Sequence, residues 1–176
     1  MRLGDQRGMD PQERFLGELE AHKKILYKVA RIYCARPEDR QDLMQEIAIQ
    51  LWRSHEGFDG RSAFSTWMYR VALNVAISWV RSRKYERHAV SLDEPLIDAA
   101  AIENAASNDA SPHLRVFLAQ VLAGLGPLDR ALILLYLEGH DHESTAAILG
   151  LTATNVATKI NRIRTRLQQE HGGSTT

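Results

Sequence analysis

The apolar residues of this chain recur with a helical period along almost its whole length, and strand-like alternation is nearly absent. A period near 3.6 turns one stripe of a helix toward a core and leaves the other side wet, so such a chain buries its apolar side chains by packing helix on helix. Phe15, Leu19, Leu26, Val29 and Tyr33 mark one face from about 11 to 34. Pro11 suits the first turn of that helix, and Pro37 closes the stretch. From about 38 to 54, Leu43, Ile47, Leu51 and Trp52 form a second stripe, while Asp39, Asp42, Gln45 and Glu46 lie elsewhere on the helix. The loop "SHEGFDGRS" carries Gly57 and Gly60, and a third helix is predicted from about 62 to 85. The fold class is all-α.

The pattern breaks once. Residues 86–113 are acidic, rich in Ala, Ser and Asn, contain Pro95 and Pro112, and hold no aromatic side chain. This stretch reads as a linker, although "LIDAAAIENAA" could form a short helix, and its length favours two domains over one compact body. The expected organisation is a helical domain over 11–87, an acidic linker over 88–112 and a second helical domain over 113–170. In the last of these, Pro127 opens a helix that Gly139 ends, and Asp141 caps a short helix that Gly150 ends. Thr152 can cap the final one. Two helices joined by "GLT" are the sequence image of a helix-turn-helix.

With 22 basic and 22 acidic residues the net charge is zero, but the charges are segregated. Residues 38–59 hold six acids against Arg40 and Arg53, 91–112 hold five acids and no base, and 159–166 hold four bases and no acid. Local fields follow such patches rather than the total. One cysteine, Cys34, rules out an internal disulfide and suits a reducing compartment; it reads as a small buried hydrophobe. The polar N-terminus is unlike a signal peptide and no apolar run approaches a membrane span, so a cytoplasmic protein without direct membrane insertion is expected. His140 and His142 flank Asp141, but no second cluster of ligands stands near them, so neither a metal nor a cofactor is expected. No nucleophile elbow, phosphate loop or paired catalytic motif appears, and the chain reads as no enzyme.

Two faces suit nucleic acid. Thr154, Asn155, Thr158, Lys159 and Arg162 fall on the outward side of the last helix, where they could enter a major groove; the bland alternative is a solvated hairpin face. In "GRSAFSTWMYRVALNVAISWVRSRKY", Trp67, Asn74 and Arg81 are seven apart and share a face with Arg70, while Phe64, Met68, Val71, Ala72, Val75 and Trp79 supply a packed side. A ring, an amide and arginines on one face suit single-stranded DNA, whose bases stack and whose backbone attracts cations. Trp79 reads as core; for Trp67, core and platform both stand.

The order "EDRQDLMQEIAIQLWR", "FDGRSAFSTWMYRVALNVAISWVRSRKY" and "LGPLDRALILLYLEGHDHESTAAILGLTATNVATKINRIRTRL" resembles bacterial RNA polymerase sigma factors of the sigma-70 family, extracytoplasmic-function (ECF) type, from about Phe15 to Leu167. The resemblance implies two promoter-reading regions, region 2 and region 4, joined by a connector whose acids can mimic nucleic acid in the polymerase's RNA path. It implies that Asp42, Gln45 and Glu46 dock on the clamp coiled coil of the largest subunit of core RNA polymerase. It implies that Phe64, Trp67, Arg70 and Asn74 open the −10 element and capture a flipped base, and that the last helix reads the −35 duplex of promoter DNA. An anti-sigma factor is a further partner it implies. Two other readings remain beside it: a helix-turn-helix regulator acting without polymerase, and a partner-sequestered interaction module.

The chain departs from the family pattern at three sites. Val156-Ala157-Thr158-Lys159 stands where Val-Lys-Ser-Arg is common, which removes one base from the reading helix. Ser78 replaces Asp or Asn, and Ser144-Thr145 replaces Glu-Ile. The last change either loosens the packing of the helix-turn-helix or marks a partner surface.

Overall fold

The computed structural model describes residues 10–89, 120–122 and 124–171. Among them every regular element is a helix: α1 Pro11–His22, α2 Lys24–Tyr33, α3 Pro37–Ser54, a 3₁₀ turn His55–Gly57, α4 Phe64–Ala89, α5 Pro127–Leu137, α6 His142–Leu149 and α7 Ala153–His171. The one helix expected from 11 to 34 is therefore two. At the junction Lys23 N–H reaches the Glu20 carbonyl at 3.4 Å and the Lys23 carbonyl takes the Leu26 N–H at 3.1 Å, both three-residue spans. The run Glu20-Ala21-His22-Lys23-Lys24 offers no large apolar side chain to hold this turn on the core, so it tightens into 3₁₀-like geometry.

Helices α2, α3 and α4 pack against one another. Leu43, Ile47 and Leu51 of α3 are four residues apart and fully buried, as the apolar stripe requires. On α4, Met68, Ala72, Ala76 and Val80 form one buried row with Tyr69, Leu73 and Ile77 beside it. Each large aliphatic side chain so buried stabilises the fold by about 1.5–3 kcal/mol.

Leu132 and Leu135 of α5 are fully buried, and α7 buries Val156, Ile160 and Ile163 at helical spacing. The helix-turn-helix has the expected termini. Asp141 Oδ1 accepts the Ser144 N–H at 2.7 Å, and this bond holds the Asp141 carboxyl below the usual carboxylate range. Gly150 ends α6 at φ 68°, in the left-handed region that favours glycine, and the Leu151 N–H returns to the Ala146 carbonyl at 3.0 Å. Thr152 Oγ1 then accepts the Asn155 N–H at 3.2 Å to start α7. Thr145 is 1% exposed, so it is a packing position within the helix-turn-helix and not a partner surface.

The linker's length favours two bodies, but the described parts of the two halves share one apolar cluster. The reason lies in α2. Ile25, Leu26, Val29, Ala30, Ile32 and Tyr33 are all buried, and together they wrap around much of its circumference. A helix apolar over so wide an arc needs cover on several sides; α3 and α4 supply part of it and α5 the rest. Tyr33 Oη donates to the Pro127 carbonyl at 2.6 Å across this junction, and burial raises its phenol pKa well above the ordinary value. Helix α4 also packs on α5 and α6. It runs through His88 and Ala89, the first two residues of the expected linker; the rest of that stretch lies outside the described residues.

Candidate nucleic-acid interface

The start of α4 sits in a cluster of rings. Trp67 lies 5.1 Å from Phe58 and 5.2 Å from Phe64 (centroid to centroid), and His55 adds a contact at 6.5 Å. Phe15 extends the cluster through Trp52 and Phe64 at 5.3 and 6.5 Å. Tilted and edge-on pairs of this kind are favourable beyond the area they bury. Trp67 and Phe64 are thus half-buried, each with part of the ring in the cluster and part at the surface. The loop before them is shaped by Asp59, whose carboxylate accepts the Arg61 backbone N–H at 3.0 Å and pairs with its guanidinium at 2.9 Å.

The structure divides the other residues of this face. Asn74 is exposed and lies along a groove of about 920 Å³ between α3 and α4, opposite Asp42, Gln45 and Glu46. Arg81 is exposed farther along α4. Arg70 is exposed too but turned to the C-terminal half, where its Nη2 donates to the Ala147 carbonyl of α6 at 2.8 Å. Asn74 therefore lines the groove, the rings cluster at the start of α4 outside its lining, and the arginine is committed to another helix.

Trp79 departs from the core position read from the sequence. It packs against the core but is only half-buried, and it lines the groove. Arg83 lies over its ring at 4.1 Å, pairs with Asp39 and stands 3.9 Å from Asp42. An aromatic face under a guanidinium stays partly wet because the cation needs both the ring and the carboxylates. Arg83 is not among the residues singled out from the sequence. Its spacing of four from Trp79 was the available signal. Asp42, Gln45 and Glu46 are all exposed, and Ser78 lies on the same groove.

On α7, Thr154, Asn155, Thr158 and Arg162 are exposed in one row. The Thr158 hydroxyl donates back to the Thr154 carbonyl at 2.9 Å. Lys159 is half-buried, with its Nζ 4.0 Å from Asp129 Oδ1 on α5, so it reaches the row at an angle. Ala157 is half-buried. Arg166 Nη1 donates to the Gly124 carbonyl at 3.3 Å and so braces the helix end. Among the described residues no group of His, Cys, Asp and Glu could hold a metal ion, and no helix is long and apolar enough to cross a membrane.

A capped α6–α7 pair with an exposed polar row, packed through α4 and α5 on the N-terminal helices, places the chain among helix-turn-helix proteins. Residues 19–85 match the family model of Sigma-70 region 2, and residues 118–167 match Sigma-70, region 4. The ECF RNA polymerase sigma-E factor of Escherichia coli is 32% identical over 72% of this chain and 70% of its own length. The RNA polymerase sigma-E factor of Streptomyces coelicolor is 30% identical, covering 86% of this chain and 82% of that protein. The chain belongs to the sigma-70 family of RNA polymerase sigma factors, in its ECF group. The ECF sigma factor SigG of Mycobacterium tuberculosis is 28% identical over 94% of this chain, which spans only 52% of SigG. Two solved structures share the fold: the sigma factor RpoE of Bartonella quintana in complex with the anti-sigma factor NepR (TM-score 0.71, 23% identity, 93% of this chain and 99% of that one) and CnrH in complex with the cytosolic domain of CnrY (TM-score 0.66, 22% identity, 93% and 91%).

Proposed function

We propose that this chain binds core RNA polymerase and directs it to promoters, reading the −35 duplex with α7 and capturing the melted −10 strand at the start of α4. The observation that carries this reading is the match of both halves, in order, to the two promoter-reading regions of one family. The exposed row Thr154, Asn155, Thr158 and Arg162 supports duplex reading: Asn suits base edges, while Thr and Arg reach phosphates or bases. Phe64, Trp67 and Asn74 support strand capture, because an unstacked base needs a ring to stack on and a polar group to select it. Arg70 and Arg81 would track the backbone. Asp42, Gln45 and Glu46 rim a groove open to solvent, which suits docking on a basic surface such as the clamp coiled coil of the largest subunit. In this reading 11–87 and 113–170 act as the two promoter-reading domains and 88–112 as their connector. The role is that of a non-catalytic initiation factor in the cytoplasm, with an anti-sigma protein as a further partner, as RpoE of Bartonella quintana has NepR.

Transcription in vitro with core polymerase tests the proposal. Promoter-specific transcripts that require both the chain and core enzyme are the expected result. Sequence-specific DNA binding with no co-purification of core polymerase would refute it in favour of a regulator acting alone.

A further inference from the structure

We infer that Asp129, on the first turn of α5, attenuates the duplex affinity of α7 by holding Lys159 back from the DNA backbone. The inference rests on the reading of α7 given above as the duplex-binding helix. Over 159–166 that helix carries Lys159, Arg162, Arg164 and Arg166 and no acid. With about 100° of turn per residue these bases do not point one way. Arg162 stands in the exposed row with Thr154, Asn155 and Thr158. Lys159 and Arg166, seven apart, lie together on the flank between that row and the buried stripe of Val156, Ile160 and Ile163.

Both cations of that flank turn toward α5, which packs on α7. Lys159 Nζ stands 4.0 Å from Asp129 Oδ1, and Arg166 Nη1 donates at 3.3 Å to the carbonyl of Gly124, just before α5. Asp129 occupies a place where a carboxylate is favoured in any case, the first turn of a helix that Pro127 opens. The acid is therefore anchored, and the long lysine side chain comes to it. The Lys159 and Asp129 side chains are 31% and 35% exposed, so solvent screens the pair only in part and the two charges offset each other.

A helix lying in the major groove turns its central row to base edges and its flanks to the two backbones. A lysine on a flank is a compact charge on a flexible stem, suited to any phosphate and reading no sequence. Offset by Asp129, Lys159 adds little of that sequence-independent attraction. On the other flank Ala157 stands where the family commonly has a lysine, so a backbone cation is missing there too. Duplex binding by α7 then leans on the row that faces the bases, and Asp129 sets how far.

The test measures binding of the full chain to a labelled random-sequence duplex over a range of salt concentrations, with thermal unfolding as a check on the fold. Asp129→Asn should raise affinity about two- to fivefold, the range of a partly exposed ion pair. It should also steepen the slope of log affinity against log salt by about 0.9, one added phosphate contact. Asp129→Glu keeps the charge and should keep the attenuation. In a Lys159→Ala chain, Asp129→Asn should alter neither reading, because the lysine it would release is gone. Asp129→Ser, a residue suited to helix starts, takes the place of the Asn variant should that fail to fold. An ion pair that merely fastened α7 to α5 would lower Tm on substitution and leave the salt slope alone, and that result would overturn the inference. So would an equal gain with and without Lys159, since Asp129 would then act on the duplex directly. Absence of any duplex binding by the unmutated chain would instead overturn the reading of α7 itself.

Discussion

Asn74→Ala and Trp67→Ala, compared side by side, separate strand capture from folding. Asn74 is exposed along the α3–α4 groove, and alanine is the better helix former by up to about 0.7 kcal/mol, so this substitution leaves α4 intact. Trp67 differs, because its ring sits 5.1 and 5.2 Å from Phe58 and Phe64. Two aromatic pairs at about 0.5–1.5 kcal/mol each put the loss near 1–3 kcal/mol before any burial is counted. At about 4–8 °C per kcal/mol for a small domain, Trp67→Ala should lower Tm by at least several degrees. For promoter opening, loss of one hydrogen bond to an unstacked base is worth about 1.4 kcal/mol, a tenfold loss. Permanganate footprinting of reconstituted complexes measures unpaired thymines, and gel-shift of the closed complex measures duplex binding. Asn74→Ala should show about tenfold weaker opening with unchanged Tm and duplex binding. Trp67→Ala should lose both opening and stability. Undiminished permanganate reactivity in both variants would refute the assignment of this face to the −10 strand.

Other outcomes are specific enough to check. Arg162→Ala should weaken duplex binding and flatten the slope of log affinity against log salt by about 0.9, one phosphate contact; an unchanged slope would remove Arg162 from the interface. Gly150→Ala meets no atom within 4 Å, so its cost is conformational alone, about 1–2 kcal/mol for an L residue at φ 68°, read as lower thermal stability. Gly17→Ala, inside α1 and equally unobstructed, should instead stabilise by about 0.5–1 kcal/mol. Burial, with Asp39 next, raises the Cys34 thiol pKa to about 12, so it stays protonated until far above neutral pH. Iodoacetamide at pH 8 should therefore modify the folded chain about a thousandfold more slowly than the chain unfolded in guanidinium; equal rates would show Cys34 to be accessible.

What the sequence determined by itself was every element whose signal is local. The apolar period placed α3 through Leu43, Ile47 and Leu51, and the caps Asp141, Gly150 and Thr152 marked the helix-turn-helix to the residue. Exposure of Asp42, Gln45 and Glu46, and of Thr154, Asn155, Thr158 and Arg162, also followed from lying off the apolar stripe. The break at Lys23 was invisible because a polar turn between two apolar faces keeps the same periodicity. Only the tertiary structure decided the sides on which single residues lie when two partners compete for them. Trp79 packs on the core yet stays half-exposed because Arg83 and the acids of α3 hold one ring face at the groove. Arg70 turned to α6 because an unpaired helix-end carbonyl lies within reach there. The closure of the two halves belongs to the same class. It depends on pairs such as Lys28–Glu138 and Tyr33–Pro127, some hundred positions apart, and side chains that far apart leave no periodic trace in the chain.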